Sequence, residues 1–138
     1  MLDVDRTVRH GFSMMAVACL TIEALQAFRL GLRTTKNKSA DMFAAFFAQH
    51  STFSDFADGN WFYNNIRCGL LHDAEARGGW RIVRSGPLVD KQHRVINATR
   101  FLLALRSAVY DYAAQLQDDD CWALFKKKMK QVVENCRE

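Results

Sequence analysis

Apolar side chains recur at steps of three and four along most of this chain, which is the spacing of one face of an α-helix. The first such segment runs from about Asp5 to Leu32 and is apolar on much of its opposite side as well. We therefore expect this helix to lie deep in the fold or at a subunit interface. Its recurring positions are Val8, Phe12, Met15, Cys19 and Ile22.

Two further helices are predicted before the middle of the chain. The first spans Ala40 to His50, and the second runs from about Asn60 to His72 and ends before a Gly-Gly pair. Closely spaced aromatic and aliphatic residues on the first of them indicate core packing. They are Met42, Phe43, Phe46 and Phe47.

The pattern changes between Trp80 and Asp90. Two short apolar runs, Trp80–Arg84 and Leu88-Val89, flank the turn sequence Ser-Gly-Pro. Short apolar runs around such a turn predict a small β-hairpin.

The last two helices have the most regular patterns. A three-four alternation from Val95 to Leu116 predicts a helix packed against others, as in a bundle. Three aspartates then suit the positive end of a helix dipole, and apolar positions step on from Trp122 to Cys136. Together the patterns predict an all-α fold in a single domain, residues 1–138. We expect an antiparallel bundle of four or five helices with a small β-hairpin inserted before the fourth helix.

Composition agrees with such a bundle. The chain has 138 residues, 49% of them hydrophobic, and a single proline. Its net charge of +4 permits a polyanionic partner without demanding one. No apolar run of about 18 residues and no secretion signal is recognisable, so we expect a cytoplasmic protein without a membrane span. The four cysteines form no Cys-x-x-Cys pair, so we expect no zinc site. They lie on apolar helix faces in a chain without a recognisable export signal, so we expect reduced core thiols.

The candidate chemistry lies near the end of the third helix. The run from Asn64 to His72 holds an arginine, a histidine and two amides. It also contains Gly69, which costs a helix interior about 1 kcal/mol relative to alanine. Such a glycine indicates close approach of another backbone or a substrate, or else tight packing against a neighbouring helix.

Arg67, followed by four residues and then His72, resembles the arginine-x4-6-histidine motif of HEPN ribonucleases. The resemblance covers about Asn60 to Tyr112. It implies a small helical endoribonuclease of the toxin or defence sort, which cleaves single-stranded RNA without a metal or other cofactor. The segments that carry it are Ile66–His72, Gly79–Ile82, Gly86–Leu88 and Ile96–Thr99.

The implied reaction is attack by the RNA 2′-OH on its neighbouring phosphate. His72 suits proton transfer, because an imidazole has an unperturbed pKa of about 6.5. Arg67 suits stabilisation of the phosphorane, because a guanidinium stays charged and binds phosphate in a bidentate fork. No metal is needed, and the sequence has no cluster of Asp, Glu and His ligands.

Helical spacing constrains this motif. At about 100° per residue, positions 67 and 72 point about 140° apart on an ideal α-helix. Either the helix ends or distorts between Gly69 and His72, or two protomers pool their residues. The resemblance favours the second option, because HEPN domains dimerise with two such motifs lining one composite cleft. We therefore expect a twofold homodimer and an inactive monomer.

Two positions depart from the family's pattern. Cys68 follows the arginine where a polar residue is common, and Asn64, one turn earlier, is our candidate for the missing amide. Ala74 stands where some HEPN toxins carry a tyrosine that a paired nucleotidyltransferase antitoxin modifies. An antitoxin of that modifying kind is therefore not expected, whereas another antitoxin or regulatory partner stays open.

A basic segment follows the motif. Five basic residues and one acid lie between Arg77 and Arg94, with Trp80 among them. Basic side chains with an interleaved aromatic suit single-stranded nucleic acid. The alternative is a solvated rim in which Trp80 anchors the hairpin to the bundle. The residues we expect to bind RNA are Asn64, Arg77, Trp80, Arg81 and Arg84.

Two other functions fit the same pattern. One is a non-catalytic HEPN-like dimeric module that binds RNA or a partner protein, because fold does not imply function. The other is a purely structural dimeric bundle in which Arg67 forms an ion pair with Asp73 or Glu75.

Overall fold

The structure is a computed structural model that describes residues 2–137, with side chains described from residue 10 onward. The predicted mainly helical architecture is confirmed. The α-helices are α1 (Leu2–Leu30), α2 (Ser39–Gln49), α3 (Ala98–Gln115) and α4 (Asp119–Asn135). Between α2 and α3 lie a 3₁₀-helix (Ser51–Phe56), a helical segment of residues 61–73, and the strands β1 (Arg81–Val83), β2 (Val89–Asp90) and β3 (Val95–Asn97).

Helix α1 is the central element and packs against α2, α3 and α4. Its predicted core positions Met15, Cys19 and Ile22 are buried, whereas Val8 lies outside the residues whose side chains are described. By length and mean hydropathy alone, the stretch His10–Leu30 is long and apolar enough to cross a membrane. Of its most apolar 18-residue window, 44% is buried inside the fold.

Aromatic rings fill the core beneath α1. The predicted stripe on α2 is buried, and the two phenylalanines of the 3₁₀-helix, Phe53 and Phe56, join it. Phe62 lies parallel to Phe101 with ring centroids 5.3 Å apart, which ties residues 61–73 to α3. The buried rings are Phe43, Phe46, Phe47, Phe53, Phe56, Phe62 and Phe101.

Residues 61–73, which we call the motif helix, confirm the predicted third helix but not its regular geometry. Two stretches, Tyr63–Arg67 and Gly69–Asp73, are π-helical, with backbone hydrogen bonds to the fifth residue back. The helix ends at Ala74, which adopts a left-handed conformation.

The chain then folds back along the motif helix, and Gly69 permits this. The Glu75 N–H donates to the Gly69 carbonyl at 3.2 Å, and the Arg77 N–H donates to the Asn65 carbonyl at 2.8 Å. A Cβ at Gly69 would lie only 2.3 Å from the Glu75 carbonyl oxygen. Of the uses expected for this glycine, the structure shows close approach of the chain's own backbone.

The predicted hairpin is wrong in its pairing. The strand order is β1-β3-β2, with β1 parallel and β2 antiparallel to β3. The central strand β3 includes Val95, which the sequence pattern assigned to the fourth helix. Two strands of this length would be marginal alone, and the third strand supports them. Ile82 and Ile96, opposite each other in β1 and β3, are both buried.

Asn97 marks the change from strand to helix. Its side-chain Oδ1 accepts a hydrogen bond from the Arg100 N–H at 3.1 Å, which caps α3. Its Nδ2 donates to the Gly86 carbonyl at 2.7 Å, so the same buried side chain holds the turn before β2.

Helix α4 begins as predicted, because Asp118 caps it by accepting hydrogen bonds from the Asp120 and Cys121 N–H groups at 3.0 Å. Its predicted apolar face is only partly covered. Phe125 packs on Phe28 of α1 with centroids 5.2 Å apart, but Trp122 is 42% exposed. No described residue of α4 is fully buried.

The four cysteines are all unpaired. Cys19 is a buried core thiol as expected, and Cys68 and Cys121 are partly buried. The prediction of a core position is wrong for Cys136, which is exposed and lies one residue beyond the end of α4.

Candidate active site

Arg67 lies at the end of the first π-helical stretch and faces α1. Its Nε and Nη2 are 3.1 and 3.0 Å from the same oxygen, Oε1 of Glu23. The two side chains are only 16% and 14% exposed. The guanidinium carbon also lies 5.4 Å from the centroid of the Tyr63 ring, within cation–π range. An acid and an aromatic ring therefore hold the guanidinium in one place.

This anchoring leaves part of Arg67 available. Among the side chains that the structure describes, from residue 10 onward, none is a hydrogen-bond partner of Nη1, so this nitrogen can still donate to a ligand. The hypothesis of a purely structural bundle predicted an ion pair of Arg67 with Asp73 or Glu75. That ion pair is not formed, because Arg67 pairs with Glu23 on α1 instead. Sequence analysis missed Glu23, which is 44 residues away along the chain and carries no local signal.

His72 lies in the second π-helical stretch and is exposed to solvent. Within the described chain it forms no hydrogen bond or ion pair, and none joins it to Arg67. Bonds to the fifth residue back give a wider helix, so positions five apart come closer to one face than the about 140° separation of an α-helix. The distortion expected near Gly69 is therefore present in a single protomer.

Arg77, a predicted RNA-binding residue, is engaged locally. Its Nε donates to Oδ2 of Asp73 at 2.5 Å, and this bond lowers the pKa of Asp73 and raises that of Arg77. The side chains of Arg77 and Asp73 are 41% and 40% exposed. The backbone reversal after Ala74 thus returns a basic side chain to the end of the motif helix, one residue beyond His72.

Trp80 anchors the sheet to the motif helix. This agrees with the alternative interpretation of Trp80 as an anchor of the sheet region rather than as a base-stacking residue. Its ring stacks on Trp61 of the motif helix, with centroids 4.1 Å apart and planes at 9°. The side chain is partly buried against the core. Its stacking capacity is therefore used within the protein on one face.

The remaining predicted RNA-binding residues line the surface. Asn64 and Arg81 are exposed, on the motif helix and on β1. Arg84 is exposed too, and its Nε donates to the Thr99 hydroxyl at 3.2 Å. Arg94, outside the predicted set, donates from Nη1 to the Gly78 carbonyl at 2.6 Å. These contacts fix the basic rim near Trp80 without neutralising Arg84 or Arg94.

A thiol and a phenol close to Arg67, those of Cys19 and Tyr63, stay protonated near neutral pH. Burial, with Glu23 as a second cause, raises the pKa of the Cys19 thiol to about 12. Burial and the neighbouring Cys68 raise the pKa of Tyr63. On the motif helix, His72 is the exposed imidazole and hence the group suited to proton transfer.

Within residues 2–137, no three His, Cys, Asp or Glu side chains cluster as metal ligands would. Comparison with known family models, curated proteins and solved structures finds no match to this chain.

Proposed function

We propose that this chain is a HEPN-type endoribonuclease of the toxin or defence sort, which cleaves single-stranded RNA in the cytoplasm without a metal. One observation carries the proposal. Arg67 and His72 share a helix whose π-helical turns bring residues five apart closer to one face, with His72 open to solvent. A fixed guanidinium and an accessible imidazole are the two groups that phosphate transesterification needs.

In the proposed reaction, His72 takes the proton of the RNA 2′-OH. The 2′ oxygen then attacks phosphorus, and the bond from phosphorus to the 5′ oxygen breaks. The departing 5′ oxygen takes up a proton from solvent, and His72 releases its own proton to solvent, so that no net proton is consumed. The products are a 2′,3′-cyclic phosphate and a 5′-hydroxyl. Arg67 donates from Nη1 to a phosphate oxygen as negative charge develops, while Glu23 keeps the guanidinium oriented.

We propose that two copies pair to complete the cleft. Helix α1 exposes Val17 and Leu20, at 58% and 55% of their surface, and the motif helix exposes Leu71 at 42%. Leu20 precedes Glu23 by one helical turn, and Leu71 directly precedes His72. Apolar surface next to the motif is suited to a self-complementary interface, which would place two motifs near each other.

The RNA strand is proposed to follow the basic rim beyond the motif. Arg81 and Arg84 would contact phosphates, and Arg77 would reach the strand beside His72. Trp80 has one face on Trp61, so base stacking there is limited to its other face.

The test is cleavage of single-stranded RNA in EDTA by wild type, His72→Ala and Arg67→Ala. His10→Ala is the matched control, since His10 is another exposed histidine. We expect each motif variant to lower the rate at least about 100-fold, the usual contribution of general acid–base catalysis. Equal cleavage by wild type and His72→Ala, or none by either, would count against the proposal.

A second function is favoured by the Glu23–Arg67 ion pair. A carboxylate that neutralises the arginine suits a non-catalytic HEPN-like dimeric module that binds RNA or a partner protein. Retained RNA binding in a filter assay, without cleavage over long incubation, would favour this module.

A further inference from the structure

A second arginine–histidine pair lies apart from the motif, at the ends of α1 and α2. Arg29, in the last turn of α1, donates from Nη1 to Gln26 Oε1 at 3.2 Å and to the side-chain oxygen of Gln49. Both of its terminal nitrogens lie 3.4–3.5 Å from Nε2 of His50. Its guanidinium carbon is 5.4 Å from the centroid of the Tyr112 ring on α3.

Arg29 has no acidic partner. Among the described residues, no carboxylate lies within ion-pair distance, so its hydrogen-bonding partners are two amide oxygens and an imidazole nitrogen. Burial lowers the pKa of this guanidinium, which nevertheless remains charged at neutral pH. A partly buried cation with only neutral partners is unusual, because buried charges are normally paired.

Three buried polar atoms around this arginine also lack partners in the described chain. They are Nε of Arg29 itself, Nε2 of Gln26 and the hydroxyl oxygen of Tyr112. Gln26 and Tyr112 are only 1% and 6% exposed. All three can donate a hydrogen bond, and orphaned buried donors are rare in native proteins. They show that the surroundings of Arg29 are short of hydrogen-bond acceptors, and of the three residues Arg29 is the one that lines an open pocket.

An open pocket of about 380 Å³ reaches this arginine from the surface. Its size is sufficient for a small molecule or a terminal group of a larger one. Burial raises the pKa of the Cys121 thiol at its edge, so this side chain is neutral and adds no negative charge at neutral pH. The pocket is lined by Arg29, Leu30, Gln49, His50, Gln115 and Cys121.

The electrostatic field of the neighbouring helix ends and acids also acts on this pocket. The C-terminal ends of α1, α2 and α3 meet here, and their partial negative charge favours a cation. Arg29 is that cation, and its donors remain in excess of the acceptors around it. The nearby acids, Asp111 and Asp118, are exposed to solvent, where salt screens them. The positive charge of the partly buried guanidinium therefore dominates the electrostatic potential inside the pocket.

We propose that this pocket binds a small oxyanion, of the phosphate or carboxylate class, with Arg29 as its principal ligand. The site is separate from the motif and does not depend on ribonuclease activity. Gln49 and His50 position the guanidinium, and the oxyanion supplies the negative charge and acceptor atoms that the protein does not.

The experiment titrates the full-length wild-type protein with inorganic phosphate and, separately, with acetate, each at constant ionic strength set by chloride. NMR follows the Arg29 Nε–H and the backbone amides of His50 and Cys121. We expect saturable shifts at these groups, and the more effective anion identifies the source of the oxyanion. Absence of saturable shifts with both anions, or shifts confined to Arg77, Arg81 and Arg84, would overturn the proposal.

Variants then test the role of the arginine. Arg29→Gln should weaken binding at least about tenfold, as loss of a buried charged hydrogen-bonding partner does. Arg33→Gln, at an exposed arginine four residues further along the chain, should leave it unchanged, as should Arg67→Gln. If Arg29→Gln fails to fold, Gln49→Leu, which removes an exposed pocket side chain that positions the guanidinium, serves instead and should also weaken binding. Unchanged affinity in the folded variant would overturn the proposal.

Discussion

Glu23 and Arg67 are joined across 44 residues of chain, with two guanidinium nitrogens within 3.1 Å of one carboxylate oxygen. Glu23→Gln removes the charge of this partner and leaves the arginine partly buried without an anion. We expect the free energy of unfolding to fall by about 1–3 kcal/mol. Urea denaturation measures it, with Glu134→Gln on the exposed side of α4 as the control. Equal stability of the two variants would show that this ion pair does not hold α1 to the motif helix.

Gly69 lets the chain reverse against the motif helix. In Gly69→Ala, the new Cβ would meet the Glu75 carbonyl oxygen at 2.3 Å, so backbone must move. We expect a loss of at least about 2 kcal/mol in unfolding free energy, despite the better helix propensity of alanine.

Gly59→Ala is a suitable control for this variant. Unlike Gly69, Gly59 has a positive φ, of 64°, and nothing lies within 4 Å of its Cβ position. Its cost should be limited to backbone strain, about 1 kcal/mol. Thermal denaturation compares the two, and a Gly69→Ala protein as stable as wild type would contradict the observed reversal.

His50 should make stability depend on pH. Burial, and then the charge of Arg29, lower its pKa below the usual value, while Asp111 opposes this weakly. The unfolded chain therefore binds a proton at a higher pH, about 6.5, than the folded protein does. The contribution of neutral His50 is complete above that pH and is lost as pH falls through the folded pKa.

His50→Gln should flatten this part of the profile. Melting temperatures between pH 8 and pH 5 measure the effect, with His10→Gln as an exposed-histidine control. If His50→Gln and wild type lose stability in parallel below pH 6.5, another group is responsible.

A composite active site predicts complementation between inactive variants. Arg67→Ala and His72→Ala, each inactive alone, can form a mixed dimer in which one cleft draws its intact arginine and histidine from different protomers. Mixing and exchange should restore a fraction of wild-type cleavage. No recovery, despite mixed dimers shown by native mass spectrometry, would place each site within one protomer.

The helices could be predicted because burial imposes a periodic pattern on each of them. The stripe on α2 and the capped start of α4 follow from local sequence alone. The sheet could not be predicted so well, since Val95 fits the helical alternation and only long-range pairing with β1 makes it a strand. Similarly, no local sequence pattern predicts that the motif helix is π-helical.

The residues of the candidate site fall into the same two groups, those that local sequence indicates and those that only the fold brings together. Arg67 and His72 lie five residues apart in one local segment, and its resemblance to a family motif makes them candidates. Glu23 belongs to another helix, and the Arg29–His50 pair joins groups 21 residues apart, so neither could be found without the fold. Trp80 was ambiguous, because its stacking on Trp61 depends on how the sheet folds back.

The central claim is that His72 and Arg67 cleave RNA by transesterification. It is tested most directly by mass spectrometry of the products from a single-stranded RNA incubated in EDTA with wild type and with His72→Ala. We predict fragments with 2′,3′-cyclic phosphate and 5′-hydroxyl ends from wild type, and none above background from the variant. An RNA with one 2′-deoxy position should resist cleavage there. Intact RNA in both samples, or the same fragments from both proteins, would contradict the account.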